Sequence, residues 1–481
     1  MKALKSGAWS LGGQAANIVF TLGTLAILGR LISPKEFGVF GLVLAVQAFV
    51  LPVIDMGLQP AYIKMKEVNG DTSNVFFTIN FLIGATLLLF IIGLSHLVAN
   101  FYQIDKLEMM LVVLAVSLLF AAMCGQPQAV LSRDKRFDKI AIANTIVLFM
   151  GSLLVIFFAW FGLGAWALVW RLLFDSVAKF LLLTAMSGMR YKLVQFSSIK
   201  PFVKEIHFGL VIVISRLING WASSIDKLLL AKFIPLSELG GYTRSQQLAL
   251  MPDSSIRVSI TTPAIAYLAR HEDGRKLNSY LSINWIALFF AGTPCMVLVV
   301  FGDILLPFLL GKEWAGMGWM LQWLGVVGLA KIFQGIMTIL HIDKAMVKRT
   351  IYYLLGSIPV TLIIPIFIIL SNGSLDNFLA CLAILSIAYW YIALWYEFTK
   401  EEDENSKIVI KTNFFKMFVY TLTICLISFG LKYSLSLSYN HNYAYQPTLM
   451  LALFLEIIIS IVLFVGFDPT EEKRLRGILR R

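Results

Sequence analysis

Apolar runs of about 20 residues recur from one end of this chain to the other, divided by short polar connections. That is the length an α-helix needs to cross the hydrocarbon core of a bilayer. The runs fall at 8–29, 37–54, 75–98, 107–124, 140–161, 163–187, 207–229, 240–264, 279–302, 314–340, 350–371, 377–398, 413–431 and 446–467, so the pattern predicts about fourteen transmembrane helices. A short stretch at 303–311 reads as a re-entrant or interfacial piece. A closed β-barrel also satisfies its backbone in lipid, but its segments alternate apolar and polar positions over about ten residues. Residues 153–170, LLVIFFAWFGLGAWALVW, are continuously apolar instead. The expected fold class is an all-α integral membrane protein.

Composition agrees. Of the 481 residues 58% are hydrophobic and 14% are charged, and the mean hydropathy is +0.80. A soluble chain carries about 25% charged residues, so the three or so soluble domains that this length could hold lack the polar surface they need. The connections are all shorter than about 25 residues, which leaves no room for a catalytic domain outside the membrane, and the chain is not expected to be an enzyme. Cys124, Cys295, Cys381 and Cys425 are scattered through apolar runs without a CxxC or Cys/His cluster, so no metal is expected.

The net charge of +12 would suggest nucleic acid on a soluble protein. Here it follows the positive-inside rule, and no nucleic-acid partner is expected. Arg133, Lys135, Arg136 and Lys139, then Arg190, Lys192, Lys200 and Lys204, and the tail from Lys473 to Arg481 all fall on one side of the predicted topology. Both termini are therefore expected in the cytoplasm. Lys2 and Lys5 precede an apolar stretch as in a signal peptide, but the stretch is too long, is interrupted by Gln14 and Asn17, and has no convincing cleavage site. It is expected to stay as the first span.

A shift of 202 residues lays Leu28–Phe40, LGRLISPKEFGVF, on Leu230–Tyr242, LAKFIPLSELGGY. Leu28/Leu230, Ile32/Ile234, Glu36/Glu238 and Gly38/Gly240 are identical, and the two segments open successive sets of six spans. Parallel repeats of this kind are a recurrent transporter plan. The expected organisation is two pseudo-symmetric six-helix lobes, 1–204 (helices 1–6) and 205–405 (helices 7–12). Residues 406–481 add helices 13 and 14 and a basic cytoplasmic tail.

Ionisable groups inside spans are costly and usually face a bundle interior or a wet cavity. Arg216, Asn219, Ser223 and Asp226 or Lys227 share one face of the seventh span; Gln246, Asp253 and Arg257, beside Pro252, share one face of the eighth. Arg171, Asp175 and Lys179 line the sixth, and Lys331, Gln334, Thr338 and His341 the tenth. A shared cavity between the halves explains four such stripes economically. Other readings stay open. Arg171–Asp175 reads most simply as an intrahelical ion pair. Lys227 and Arg244 near the outer interface, and Lys179, Arg257 and His341 near the inner one, can snorkel to water. Arg216 and Lys331 lie about ten residues from the nearer span end, too deep for that. Asp226, Asp253 and Asp175 are candidates for coupling to H+ or Na+, although Asp226 can also serve a neighbouring cation; Asp55 reads as structural. Cations outnumber acids, which favours an anionic substrate, since a guanidinium matches phosphate oxygens. The expected headgroup cavity is Arg216, Arg257, Lys331, Arg171, Asn219, Gln246 and Gln334.

Leu230–Pro252, LAKFIPLSELGGYTRSQQLALMP, preceded by SSIDKLL, resembles a hallmark of the polysaccharide transporter family, as does LGRLISPKEFGVFGLV near the N-terminus. That family lies in the multidrug/oligosaccharidyl-lipid/polysaccharide superfamily, and the likeness is to its colanic-acid-type flippases of lipid-linked oligosaccharides. The resemblance implies a V-shaped cavity and alternating access. It also implies transport of an undecaprenyl-diphosphate-linked repeat unit from the cytoplasmic to the periplasmic leaflet of a bacterial inner membrane. Such a unit feeds exopolysaccharide or lipopolysaccharide (O-antigen) assembly, with polymerase and other assembly proteins as partners. Catalytic residues are not a feature of the family. The motif rests on Asp226, Lys227, Gly240 and Tyr242, in structural roles. The alternatives are an ion-coupled multidrug exporter of the same superfamily and a membrane-embedded polysaccharide polymerase. No cofactor is expected beyond a coupling ion, and the chain has no phosphate-binding G-x-x-x-x-G-K-[ST] loop.

Overall fold

The computed structural model describes residues 19–194, 217–268, 280–400 and 413–424, apart from a few positions inside those ranges. Those residues are helical, joined by short turns. The helices are α1 (Val19–Leu31), α2 (Pro34–Asp55), α3 (Leu58–Lys64), α4 (Gly70–Tyr102), α5 (Asp105–Met123), α6 (Gly125–Arg133), α7 (Phe137–Trp160) and α8 (Ala165–Ser187). They continue as α9 (Ile225–Phe233), α10 (Leu236–Leu268), α11 (Thr293–Leu310), α12 (Gly318–Asp343), α13 (Val347–Ile358), α14 (Ile364–Leu370) and α15 (Leu375–Lys400). Single π-helical turns at Leu288–Gly292 and Pro359–Ile363 precede α11 and join α13 to α14.

Among the described residues seven helical stretches are long and apolar enough to cross a membrane. The helix α8 has the length as well, about 35 Å at 1.5 Å per residue, but carries Arg171, Asp175 and Lys179. Large apolar side chains such as Leu89, Leu97, Trp160 and Phe367 lie on the outside, where lipid rather than water is the compatible solvent. Residues 303–310 form no separate re-entrant piece: they are the last turns of α11, which runs unbroken to Leu310 and stops at Gly311.

The chain divides into two compact units, Thr24–Thr243, and Arg244–Arg481 with Met1–Gly23. In the first, α4 packs along α5, α5 on α8, and α7 on α8. Leu58, Tyr62, Val75, Phe76, Ile79 and Ala129 form a core between α3, α4 and α6, and the Tyr62 hydroxyl meets Ser73 Oγ at 2.6 Å. Glu36, in the first turn of α2, accepts a hydrogen bond from Lys106 Nζ and another, at 2.9 Å, from the Ala165 backbone N–H. One carboxylate thus ties the starts of α2, α5 and α8 and satisfies an amide that α8 cannot bond internally. Gly164, at φ +56°, brings the chain so close that a Cβ there would lie 2.8 Å from Glu36 Oε2.

In the second unit α11 packs on α12, and α12 on α15. Gly318, Gly325 and Gly328 of α12 make this possible, since a Cβ at each would fall within 3.0 Å of a neighbouring helix. Small residues let backbones approach closely where lipid supplies no hydrophobic drive between helices. Trp285, Leu288, Met296, Phe333, Met337 and Trp390 fill the core around them.

Arg133 is a basic residue of a predicted cytoplasmic loop, yet its Nη1 donates to the carbonyls of Tyr62 (3.0 Å), Ile63 (3.2 Å) and Met65 (2.7 Å). It closes the C-terminus of α3, whose last carbonyls have no partner within the helix. Arg133→Ala is expected to cost about 1.5–3 kcal/mol, the value of hydrogen bonds from a charged group, and Arg133→Lys a part of that. The thermal midpoint of the purified protein in detergent measures both; equal midpoints for wild type and Arg133→Ala would remove this role.

Candidate functional site

The polar residues that the helical phase singled out fall into separate groups. In the first unit, Arg171 Nε lies 3.5 Å from Asp175 Oδ2, one turn along α8. The other oxygen, Oδ1, is pressed against Gly151 of α7, where a Cβ would come within 2.1 Å of it. That oxygen is buried and has no hydrogen-bond partner among the described residues. Arg171 and Asp175 are therefore brought together as an ion pair, and each has one partly exposed flank.

The motif residues form a second group. Tyr242 is wholly buried, and its hydroxyl donates to Asp226 Oδ2. The Lys227 backbone N–H donates to Asp226 Oδ1 at 2.8 Å. The carboxylate thereby joins the start of α9 to the second turn of α10. Gly240, two residues before Tyr242, allows α10 to touch α2: a Cβ on Gly240 would lie 1.9 Å from the Pro34 carbonyl oxygen, and a Cβ on Gly38 1.9 Å from that of Leu236. Pro34 and Gly38 correspond to Leu236 and Gly240 under the 202-residue shift, so the two repeat segments meet each other reciprocally. The neighbouring turn is pinned as well. Tyr102 donates to the Leu228 carbonyl at 2.8 Å, and Lys232 Nζ to the Phe101 carbonyl at 3.0 Å.

In the second unit Lys331 Nζ donates to Gln334 Oε1 at 2.8 Å, and Thr338 Oγ1 to the Gln334 carbonyl at 2.9 Å. Gly328, one turn before Lys331, sits against Ala249 of α10. Asp253, which is buried, follows Ala249 by one turn on the same face. Gln246 is half-buried on α10. Arg257 lies on α10 with its side chain outside the described residues, as do Arg216 and Asn219 entirely. Arg244 does not snorkel: it is buried and donates to Gln247. His341 does not snorkel either. It is buried at the end of α12, its Nδ1 is 3.0 Å from Thr350 Oγ1, and its Nε2 is 3.6 Å from Glu397 Oε1.

Glu397 and Arg349 lie near the ends of α15 and α13 and, with Tyr353, surround His341 without forming a polar stripe along a span. Phase analysis missed them, and it also missed Asn284, wholly buried, with neither amide atom bonded among the described residues. Only an unusual polar residue within an apolar run marked either place. No group of three or more His, Cys, Asp or Glu suited to a metal occurs among the described residues.

Residues 27–318 match the family described as polysaccharide biosynthesis protein. The teichuronic acid biosynthesis protein TuaB of Bacillus subtilis is 24% identical to this chain over 90% of each protein. The lipopolysaccharide biosynthesis protein WzxC of Escherichia coli is 22% identical over 69% of this chain and 68% of its own length. Among solved structures, lipid II flippase MurJ in an inward closed conformation superposes with a TM-score of 0.72 at 13% identity, covering 96% of this chain and 98% of that one. An inward-facing multidrug resistance MATE family transporter of the MOP superfamily gives 0.63 at 12% identity, over 82% and 94%. These likenesses are of fold.

Proposed function

This chain belongs to the polysaccharide biosynthesis protein family, in the polysaccharide transporter branch of the multidrug/oligosaccharidyl-lipid/polysaccharide superfamily, and on that premise we propose that it is a flippase for a lipid-linked oligosaccharide. It is a multi-pass membrane protein. The family match over residues 27–318 carries the reading. Two further facts support it: relatives are named for teichuronic acid and lipopolysaccharide biosynthesis, and the connections are too short for an extramembrane catalytic domain.

The physical task is to move a diphosphate and several sugars through a medium in which an isolated charge costs several kcal/mol. Basic side chains held inside the bundle replace the hydration of the diphosphate, while the polyprenyl tail stays in lipid. Lys331, Arg216, Arg257 and Arg171 are the cations proposed for this, with Asn219, Gln246 and Gln334 as hydrogen-bonding neighbours. Among those described, Arg171 and Lys331 have their charged groups engaged by Asp175 and Gln334, which holds the side chains in place before an anion arrives. Transport runs from the cytoplasmic to the periplasmic leaflet of a bacterial inner membrane by alternating access, with both termini in the cytoplasm. The product passes to polymerase and other polysaccharide assembly proteins.

The test is reconstitution in proteoliposomes with a fluorescent undecaprenyl-diphosphate-linked oligosaccharide, followed by quenching from outside. Wild type is expected to move the lipid between leaflets. Arg216→Ala and Lys331→Ala are each expected to slow it by at least about tenfold, since a charge-assisted hydrogen bond contributes about 1.5–3 kcal/mol and 1.4 kcal/mol is a factor of ten. Undiminished flipping in both variants removes these cations from the pathway. A wild type that expels cationic dyes and leaves the lipid in place would instead identify an ion-coupled exporter.

A further inference from the structure

At the C-terminal end of α12, three helices of the second unit enclose a buried acid between two bases. Glu397 of α15 is 5% exposed. Arg349 Nη1, from the start of α13, lies 3.3 Å from Glu397 Oε2, and His341 Nε2 lies 3.6 Å from Glu397 Oε1. His341 is held from its other nitrogen by Thr350 Oγ1 at 3.0 Å, and its ring stacks on Tyr353 at 5.8 Å between centroids. Among the described residues Tyr353 of α13 also faces Glu397, with Tyr396 of α15 near Tyr353. By the charge distribution this is the cytoplasmic end of the three helices.

We propose that His341 and Glu397 form a proton-binding site through which cytoplasmic pH controls the start of α13, and so the rate of transport; this rests on the flippase reading. With a neutral imidazole, Arg349 and Glu397 balance to zero charge, and their contact holds the start of α13 to α15. Protonation of His341 puts a second cation on the same carboxylate. A buried net charge is strongly disfavoured, so one cation must leave. His341 is 1% exposed and Arg349 is 32% exposed, so Arg349 is the one with a path to water. Its release removes the charged tie between the start of α13 and the end of α15, leaving Thr350 on His341 and the Tyr353 carbonyl on the Tyr389 hydroxyl to hold α13, which ends at the π-helical turn Pro359–Ile363. Such turns are frequent at functional sites within helices. An ordinary imidazole titrates near pH 6.5, within the range a bacterial cytoplasm visits under acid load.

The first test reads flipping in proteoliposomes with the pH set on the side equivalent to the cytoplasm. Wild type is expected to speed up severalfold from pH 7.5 to 5.5. His341→Gln is expected to stay at the slow level throughout, because Arg349 keeps Glu397. Glu397→Gln is expected at the fast level throughout, because the tie is absent. Wild-type pH dependence retained in both variants, or a wild type without pH dependence, overturns the proposal. The second test needs no transport: histidine NMR of 15N-labelled protein in nanodiscs. The resonance lost in His341→Gln is expected to titrate between pH 5 and 8, and to titrate at a different pH in Arg349→Gln. A His341 that stays in one protonation state over that range overturns the proposal even where flipping varies with pH. If the wild type moves no lipid-linked oligosaccharide at any pH while His341 titrates as described, the flippase reading fails and the proton site stands.

Discussion

Gly240→Ala and Gly38→Ala are each expected to abolish recovery of folded protein, the largest effect expected of a single methyl among the described glycines. The added carbon would lie 1.9 Å from a backbone carbonyl oxygen, that of Pro34 in one case and Leu236 in the other. A side chain could rotate away; a carbonyl inside a helix turn cannot. The helices must part instead, and with them the environment of Tyr242 and Asp226, one turn away. Overpacking costs about 1–3 kcal/mol where side chains can adjust, and here they cannot, so the loss exceeds that range. Fluorescence-detected size exclusion after mild detergent extraction reads the outcome. A monodisperse Gly240→Ala protein with the wild-type thermal midpoint would mean that α2 and α10 do not meet in this way.

Asp226→Ala is expected to lower stability by about 3 kcal/mol, because it takes the carboxylate acceptor from the buried Tyr242 hydroxyl and leaves the Lys227 amide to its Ser224 carbonyl. Tyr242→Phe removes one of those bonds and is expected to cost about 1.5–3 kcal/mol. The double variant should cost less than the sum of the two, since both act on one interaction. Asp226→Asn retains an oxygen acceptor and is expected to lie nearest to wild type in thermal midpoint. The same variant addresses transport. If Asp226 serves to join α9 to α10, Asp226→Asn flips lipid at close to the wild-type rate under an imposed proton or sodium gradient. Loss of gradient dependence with the midpoint intact would assign ion coupling to Asp226.

Several local features were legible along the chain because they repeat at helical spacing. The Arg171–Asp175 and Lys331–Gln334 contacts join residues four and three apart, and that is the distance over which a helix brings side chains together. The pairing of Glu36 with Ala165, 129 residues on, follows no periodicity and appears only once α2 and α8 have packed. Glu397 and Arg349 are 48 residues apart, and each looks like an ordinary charge near a span end. Burial of the Glu397 carboxylate, 5% exposed, is what sets the pair apart. Arg133 shows the converse. Its position in a basic loop gave only an expected side of the membrane, while its three carbonyl partners told its role.

By itself the sequence determined that this is a helical membrane protein, because runs of apolar residues long enough to cross hydrocarbon leave a chain no other economical way to satisfy its backbone. It also determined the shift that relates Gly38 to Gly240, since likeness between segments needs no coordinates. Tertiary structure alone decided that those two glycines touch, that Asp226 serves Tyr242, and that His341 shares Glu397 with Arg349. Each of these depends on how distant helices are brought side by side, and the partner of a buried charge is chosen by that packing rather than by its neighbours in the chain.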